Sequence, residues 1–180
     1  MSKITEAEIQ KILPVKGPRF EEVKNYLEKY NDKYIVIKCG GSVLVNQDLF
    51  NNFINDISIL NKLGFIPIII HGGGKRISKK LSETGIKSNF INGLRVTDKK
   101  SINIVEEVLN IFNKEITNAL KNNGCDSQGI TNKQDNILTV KQENDKLGYV
   151  GTPKEIKHLT IKKIVKEKKV PVIAPLGLDK

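Results

Sequence analysis

Phe65-Ile-Pro-Ile-Ile-Ile-His-Gly-Gly-Gly74 decides the fold, because an apolar run leads into three glycines and then into a helical pattern that extends to about Glu83. The same order occurs upstream, where Tyr34-Ile-Val-Ile-Lys38 leads to Gly40-Gly41 and then to another helical pattern. A strand, a glycine turn and a helix, repeated in this way, are typical of a parallel α/β sheet. Ligands bind such sheets outside the carboxyl ends of the strands, which is where both glycine turns are expected.

Upstream of these two units, the sequence predicts an N-terminal helical extension of residues 1–32. Thr5, followed by Glu8 three residues later, indicates a capped short helix that ends at Pro14. A second helix is predicted from about Phe20 to Tyr30, with apolar residues on one side.

Downstream, the apolar pattern of Lys99–Lys121 predicts a long amphipathic helix. Its apolar stripe is wider than one small sheet face needs, which favours a second copy of the chain as a partner. The rest of the chain is predicted to form a hairpin insertion of three short strands, then a Lys-rich helix and a last strand: Gln128–Thr131, Ile137–Lys141, Gly148–Gly151, Pro153–Lys168 and Val170–Ala174.

The composition of the 180 residues suits one globular domain with a short appendage, since 38% are hydrophobic and 28% are charged. Thirty Lys and Arg against twenty Asp and Glu give a net charge of +10, but only three of the cations are Arg and Trp is absent. Without an aromatic-basic ribbon or a finger motif, this composition disfavours nucleic-acid binding. Two distant cysteines suggest neither a disulfide nor a metal site, and no apolar stretch is long enough to cross a bilayer. We therefore expect a cytoplasmic protein that is free of membrane.

Lys38 and the pair Gly40 and Gly41, here named the first glycine loop, are candidates for phosphate binding. Glycines at this place let backbone N–H groups turn toward an anion, while a lysine supplies a mobile positive charge. A purely structural explanation stays open, because Lys often ends a strand and Gly-Gly often makes a tight turn.

Gly72, Gly73 and Gly74, here named the second glycine loop, leave backbone amides exposed to a small acidic ligand. The loop matches neither the dinucleotide-binding nor the Walker pattern, because the further glycines that those motifs need are absent. His71, directly before it, is interpreted as a hydrogen-bonded supporting residue and not as a metal ligand.

Arg95 is a rare arginine that lies shortly before the long helix. Its planar guanidinium suits a carboxylate in two-point contact, which the point charge of a lysine does not reproduce. The alternative is that Arg95 pairs with a surface acid such as Asp98.

Six segments, taken together and in order, resemble the N-terminal lobe of the N-acetylglutamate kinase family within the amino acid kinase superfamily. They are Ile37-Lys-Cys-Gly-Gly-Ser42, Ile69-Ile-His-Gly-Gly-Gly74, Asn92-Gly-Leu-Arg-Val-Thr-Asp98, Asn113-Lys-Glu-Ile116, Leu147-Gly-Tyr-Val-Gly151 and Pro171-Val-Ile-Ala-Pro-Leu-Gly177. The resemblance implies a three-layer α/β/α fold with a mainly parallel sheet over residues 33–180. It also implies an enzyme of arginine biosynthesis that phosphorylates the side-chain carboxylate of N-acetyl-L-glutamate with ATP and Mg²⁺.

The resemblance also assigns roles to the candidate residues. Lys38 would stabilise the transferring phosphoryl group as a catalytic residue, helped by the amides of the first glycine loop. The second glycine loop would contact the acetylglutamate, and Arg95 would bind its α-carboxylate. No residue is assigned to a metal. Members of the family form homodimers, and some form higher rings, so we expect a homodimer or a ring.

The family places its substrate-binding Asn, an organising Asp, a second catalytic Lys and nearly the whole ATP site in a C-terminal lobe that follows Pro-Leu-Gly. We therefore expect residues 1–180 to be the acetylglutamate-binding part of a longer enzyme and to be inactive alone. Two rivals stay open: another carboxylate or carbamate kinase of the superfamily, and a non-catalytic ligand-binding lobe.

Overall fold

The computed structural model describes residues 5–13, 15–41, 43 and 46–179, so that Pro14, predicted to end the first helix, and Ser42 of the first motif lie outside the described residues. The helices are α1 (Glu6–Ile12), α2 (Phe20–Tyr30), α3 (Gln47–Lys62), α4 (Gly74–Glu83), α5 (Lys99–Asn122) and α6 (His158–Lys166). The strands are β1 (Tyr34–Cys39), β2 (Ile66–His71), β3 (Phe90–Ile91), β4 (Leu94–Arg95), β5 (Ser127–Ile130), β6 (Leu138–Gln142), β7 (Gly151–Ile156), β8 (Val170–Ile173) and β9 (Leu178–Asp179).

The central sheet has four strands in the order β1-β2-β8-β5, and all its neighbours are parallel. The first two strands are in register over their full length, so that Lys38 lies opposite Ile70 and Cys39 lies opposite His71. The two glycine loops therefore leave the sheet at the same edge and side by side.

Helices cover both faces of this sheet, which confirms the three-layer α/β/α fold. On one face, α3 and α5 pack against buried strand residues through Ile57, Phe112 and Ile116, which are at most 2% exposed. On the other face, α6 packs through Ile164 against Ile130 of β5. Helix α4 lies beside α5 and contributes Ile77 and Leu81 to a second apolar cluster.

Helix α2 has the bounds that the sequence predicts, and α1 has the predicted cap but ends at Ile12, before Pro14. Thr5 accepts a hydrogen bond from the Glu8 amide, and the Glu8 carboxylate accepts one from the Thr5 amide, which completes a capping box. Helix α1 contacts α2. Within the described residues, no helix combines the length and the apolar character that a membrane crossing requires.

The predicted three-stranded hairpin insertion is wrong in two respects. The segment at Gln128 is β5 of the central sheet, where it pairs with β8, because its residues are buried on both faces. The antiparallel hairpin is instead β6-β7, with β9 parallel to β6 on its other side. Pro153, predicted to start a helix, lies in β7 at the edge of this small sheet, beside a register shift, where a proline needs no ladder partner. Helix α6 accordingly starts at His158.

Candidate functional site

The two glycine loops meet at the carboxyl edge of the central sheet. The Gly72 amide donates to the Cys39 carbonyl at 2.9 Å, which ties the second loop to the end of β1. A Cβ placed on Gly41 would lie 3.6 Å from Cγ of Lys75, so the side-chain stem of Lys75 runs over the first loop. The structure therefore brings Lys38, Gly40 and Gly41 next to the second loop, as their strand positions predict.

Lys38 lies on the exposed face of β1, the strand at the edge of the sheet, whereas α6 covers that layer at β5 and β8. Its neighbours on that face, Tyr34 and Val36, are 51% and 62% exposed, whereas Cys39 on the opposite face is buried. Lys38 is itself exposed and makes no hydrogen bond or ion pair with the other described residues. Its ammonium is therefore available to an anion at the edge of the sheet.

The glycines of the second loop are needed for different physical reasons. Gly73 is the N-cap of α4, and a Cβ there would lie 2.7 Å from Cδ2 of the buried Leu109, so packing requires glycine. Gly74 is the first residue of α4, and a Cβ there would have nothing within 4 Å. No side chain caps the helix and no acid lies in its first turn. The positive end of α4 therefore faces the open edge with its amides available to an anion.

His71, at the end of β2, is 1% exposed. Its Nδ1 lies 3.1 Å from the Gly72 carbonyl and its Nε2 lies 3.1 Å from Nδ2 of Asn113. Its ring meets that of Phe112 edge-on, with 5.0 Å between the ring centroids. Burial lowers the pKa of His71 below its ordinary value and the nearby charge of Arg76 adds to this effect, while the hydrogen bond to the Gly72 carbonyl partly opposes it. The interpretation of His71 as a hydrogen-bonded supporting residue therefore agrees with its contacts.

Arg95, at the end of β4, joins the second glycine loop from the other side. Its Nη2 donates to the Gly74 carbonyl at 3.1 Å and to Oγ of Ser78 at 2.7 Å, and its Nη1 donates to Oγ of Ser88. The guanidinium also stacks on the ring of Phe90 at 4.7 Å. Burial lowers the pKa of Arg95.

The alternative that Arg95 pairs with Asp98 is wrong. Asp98 is the N-cap of α5, where one carboxylate oxygen accepts hydrogen bonds from the amides of Lys100 at 3.1 Å and Ser101 at 2.7 Å. The Ser101 hydroxyl, together with these two amides, lowers the pKa of Asp98. The rare arginine is therefore directed to α4 and not to the surface acid.

Sequence reasoning missed the short β3-β4 hairpin that carries Arg95. Its turn residues Asn92 and Gly93 have φ values of 49° and 81°, which suit the Asn-Gly turn of a two-residue hairpin. That dipeptide was the signal that could have found it.

The fold also brings Thr97 and Gly148 into contact, a pair that the sequence analysis did not single out. The Thr97 carbonyl accepts from the Tyr149 amide at 2.7 Å, and the Thr97 amide donates to the Leu147 carbonyl at 2.9 Å. A Cβ on Gly148 would overlap the Thr97 carbonyl, so only glycine permits this contact. The Gly-Tyr-Val-Gly turn is thereby attached just beyond Arg95.

An open cavity of about 560 Å³ lies next to Ser78 and Ser88, the two serines that bond Arg95, and a volume of this order accommodates a small-molecule ligand. Neither glycine loop lines this cavity. It is lined by Ser78, Ser82, Gly85, Ile86, Lys87, Ser88 and Asn89. Among the described residues, no group of three or more His, Cys, Asp or Glu side chains could hold a metal ion. The carboxyl edge and its surroundings therefore present amide donors, hydroxyls and cations, and this set of groups suits an anion with several oxygens.

Several known proteins are similar to this chain. Residues 33–180 match the model of the amino acid kinase family. An acetylglutamate kinase of Pelagibacter ubique is 62% identical over 180 residues, which are 100% of this chain and 62% of that protein. An acetylglutamate kinase of Campylobacter jejuni is 38% identical over 158 residues, which are 88% of this chain and 57% of that protein. The chain thus spans about three fifths of the length of these curated relatives.

Two solved structures share the fold. The smu.665 protein of Streptococcus mutans has a TM-score of 0.70 and 29% identity, over 82% of this chain and 60% of that one. The N-acetylglutamate synthase of Neisseria gonorrhoeae, complexed with coenzyme A and N-acetyl-glutamate, has a TM-score of 0.76 and 20% identity, over 89% of this chain and 37% of that one. At that identity, the second likeness shows the fold alone.

Proposed function

Because this chain belongs to the amino acid kinase family, we propose that it is the acetylglutamate-binding part of an acetylglutamate kinase of arginine biosynthesis. The reaction is the ATP-dependent phosphorylation of the side-chain carboxylate of N-acetyl-L-glutamate to N-acetyl-L-glutamyl 5-phosphate. The observation that carries the proposal is the register of β1 and β2, since it joins Lys38 and both glycine loops at one edge, with Arg95 bonded to Gly74. The identity to the Pelagibacter ubique relative supports it.

In this proposal, the residues of the chain act by positioning and by neutralising charge. The second glycine loop and the amino end of α4 bind carboxylate oxygens of the acceptor, and Arg95 binds the α-carboxylate. Lys38 lies beside the other glycine loop, where negative charge develops on the transferring phosphoryl group. The amides of Gly40 and Gly41 help Lys38 to stabilise that charge. Phosphoryl transfer depends mainly on such placement and electrostatic stabilisation, with little covalent chemistry from the protein.

MgATP would supply the phosphoryl group when it is bound. The described residues fit only its terminal phosphate, through the first glycine loop and Lys38, because no cluster of carboxylates lies at this edge. We propose that residues 33–180 form the acceptor-binding lobe, after a helical extension of residues 1–32. The rest of the nucleotide site would lie outside residues 1–180, so this chain alone should consume no ATP. A cytoplasmic location follows from the same proposal, since its substrates are soluble metabolites.

We further propose that the chain forms a homodimer through α5, or a ring built from such dimers. Most of the α5 stripe is buried within the chain, with Leu109, Phe112 and Ile116 at most 3% exposed. Ile111, however, is 51% exposed beside an open cavity of about 580 Å³ between α3, α4 and α5. A second copy would cover this apolar position.

The decisive experiment for the substrate is an NMR titration of ¹⁵N-labelled residues 1–180 with N-acetyl-L-glutamate. L-glutamate and L-aspartate serve as matched competitors. We expect saturable shifts of the second glycine loop and of Arg95 with N-acetyl-L-glutamate, and much weaker binding of the two amino acids. Equal binding of all three would favour another carboxylate kinase of the superfamily.

The Lys38→Ala variant tests whether Lys38 takes part in binding the acceptor. Because Lys38 is exposed and forms no bond to the described residues, the change should alter the unfolding free energy by no more than about 0.5 kcal/mol. Acetylglutamate binding should also persist, since the charge acts on the transferring phosphoryl group. Loss of acetylglutamate binding in Lys38→Ala would move Lys38 from phosphate to acceptor recognition.

A further inference from the structure

A buried pair of polar side chains lies directly beneath the second glycine loop. His71 is 1% exposed and Asn113, from the middle of α5, is 3% exposed. The Asn113 Nδ2 atom lies 2.8 Å from the Val172 carbonyl of β8 and 3.1 Å from Nε2 of His71. Buried polar side chains nearly always have hydrogen-bond partners, and these partners fix their orientation.

These contacts fix the orientation of both side chains. The Val172 carbonyl can only accept, so the nitrogen of the Asn113 amide, and not its oxygen, must face it. The second hydrogen of that nitrogen then points at His71 Nε2, which must accept. A neutral imidazole that accepts at Nε2 carries its proton on Nδ1, and this proton is donated to the Gly72 carbonyl at 3.1 Å.

The surroundings oppose a second proton on the ring. Protonated Nε2 would face the Asn113 amide hydrogens, donor against donor. The one charged side chain that acts on His71 from α4, Arg76, is cationic and lies 4.2 Å over the ring of Phe112, which His71 meets edge-on. Among the described residues, no carboxylate contributes to the pKa of His71. The single-proton state with hydrogen on Nδ1 is therefore the one this packing favours.

Glycine at position 129 makes room for the pair. A Cβ on Gly129 of β5 would overlap Oδ1 of Asn113. The amide of Asn113 is thus wedged between β5 and β8, and it cannot turn over without losing the Val172 bond. The support that it gives to His71 is rigid.

We propose that His71 and Asn113 are positioning residues that aim the amides of the second glycine loop at the ligand. The argument rests on the proposed function only in assigning a ligand to this loop. In a trans peptide the C=O and the next N–H point in opposite directions. Because His71 draws the Gly72 carbonyl inward, the Gly73 N–H is turned away from the core, and it has no acceptor among the described residues. A Gly-Gly-Gly peptide without this anchor rotates readily and would lose that direction.

Two substitutions of His71 form a matched pair. The amide nitrogen of asparagine stands two bonds from Cβ, as Nδ1 does, so His71→Asn keeps a donor for the Gly72 carbonyl. The amide of glutamine stands three bonds from Cβ, as Nε2 does, so His71→Gln reaches Asn113 but loses that donor. Both changes remove the same aromatic ring from the same cavity. Their effects on stability should therefore be similar, and their effects on the loop should differ.

The test is a titration of ¹⁵N-labelled residues 1–180 with N-acetyl-L-glutamate. We expect His71→Asn to bind within about threefold of wild type and His71→Gln to bind about five- to tenfold more weakly, the loss of one positioned hydrogen bond. Equal affinities of the two variants would overturn the proposal, whatever their stability.

Two further readouts decide the proposal without ligand binding. If wild type itself does not bind the ligand, the proposed acceptor site of residues 1–180 is wrong, and the Gly73 amide then decides whether His71 positions the loop. Its resonance and hydrogen exchange should match wild type in His71→Asn and change in His71→Gln, and no difference between the variants would overturn the proposal. If neither variant folds, a long-range ¹H–¹⁵N spectrum of wild type shows which ring nitrogen of His71 carries the proton. A neutral ring protonated on Nδ1 at pH 7 supports the proposal, and a proton on Nε2 overturns it.

Discussion

Alanine substitutions at Gly73 and Gly74, made one at a time, separate packing from ligand contact within the second glycine loop. The Cβ of Gly73→Ala would lie 2.7 Å from Cδ2 of Leu109 and 3.5 Å from Cδ1 of Ile77. Leu109 is 3% exposed, so its side chain has little room to shift. Overpacking of a core by one methyl costs about 1–3 kcal/mol, and we expect the unfolding free energy of Gly73→Ala to fall by that amount.

Gly74→Ala should behave in the opposite way. Its Cβ would meet nothing within 4 Å, and Gly74 is the first residue of α4. Alanine is favoured over glycine in a helix by up to about 1 kcal/mol, so the stability of this variant should equal or slightly exceed that of wild type. The new methyl would stand at the open side of the loop, where the proposed ligand lies. We therefore expect Gly74→Ala to weaken binding of N-acetyl-L-glutamate without a loss of stability.

Urea unfolding of residues 1–180, followed by far-UV circular dichroism because the chain has no Trp, measures the first effect. In a chain of this size, 1 kcal/mol corresponds to about 2–4 °C in the melting temperature. The NMR titration measures the second effect. A Gly73→Ala variant as stable as wild type, or a Gly74→Ala variant clearly less stable, would refute the packing argument. Full ligand affinity of Gly74→Ala would remove that glycine from the binding site.

Three further predictions address Arg95, the dimer and pH. Arg95→Lys should weaken N-acetyl-L-glutamate binding about ten- to a hundredfold, because an ammonium cannot form the two-point contact. The affinity of the variant for the α-amide analogue should change little. An unchanged preference for the carboxylate in an NMR titration would contradict this role. Ile111→Glu should convert a homodimer to a monomer, as measured by light scattering. The control Leu159→Glu, which lies on α6 over the opposite sheet face and is 70% exposed, should leave the dimer intact. A monomeric wild type at micromolar concentration would exclude the dimer. Burial depresses the pKa of His71, so that the unfolded chain takes up the proton first as pH falls below about 6.5. The unfolding free energy should therefore drop more steeply between pH 7.5 and 5.5 in wild type than in His71→Asn. Parallel losses of the two proteins in urea titrations would show that His71 is not the cause.

The elements that the sequence predicts well are those whose local signals and tertiary packing agree. The run Phe65–Ile70 is apolar, ends in glycines and is buried as β2, and Lys99–Lys121 has the period of a helix and packs as α5. The edge that carries Lys38 and both glycine loops follows from strand direction alone, because parallel neighbours end together.

The errors arose where a tertiary contact outweighed a local signal. Pro153 reads as a helix start, yet pairing with β6 draws it into β7. Gln128 reads as part of a polar hairpin, yet β8 pairs with it through its backbone. The partners of Arg95 could not be read from spacing, since Ser78 and Ser88 lie on other elements that reach it only through folding.

The contacts of Arg95 also constrain how it can bind a carboxylate. Both hydrogens of its Nη2 are used, by the Gly74 carbonyl and by Ser78, and a two-point contact on either edge of a guanidinium requires one of them. A carboxylate must therefore replace Ser78 or the Gly74 carbonyl. That exchange is favourable, because the three groups that now accept hydrogen bonds from Arg95 are all neutral. They do not compensate the positive charge of the partly buried guanidinium. A hydrogen bond to an ionised acceptor is about twice as strong as one to a neutral acceptor. In the proposed site, the serines would thus hold the arginine beside the glycine loop until the α-carboxylate displaces one of its neutral partners.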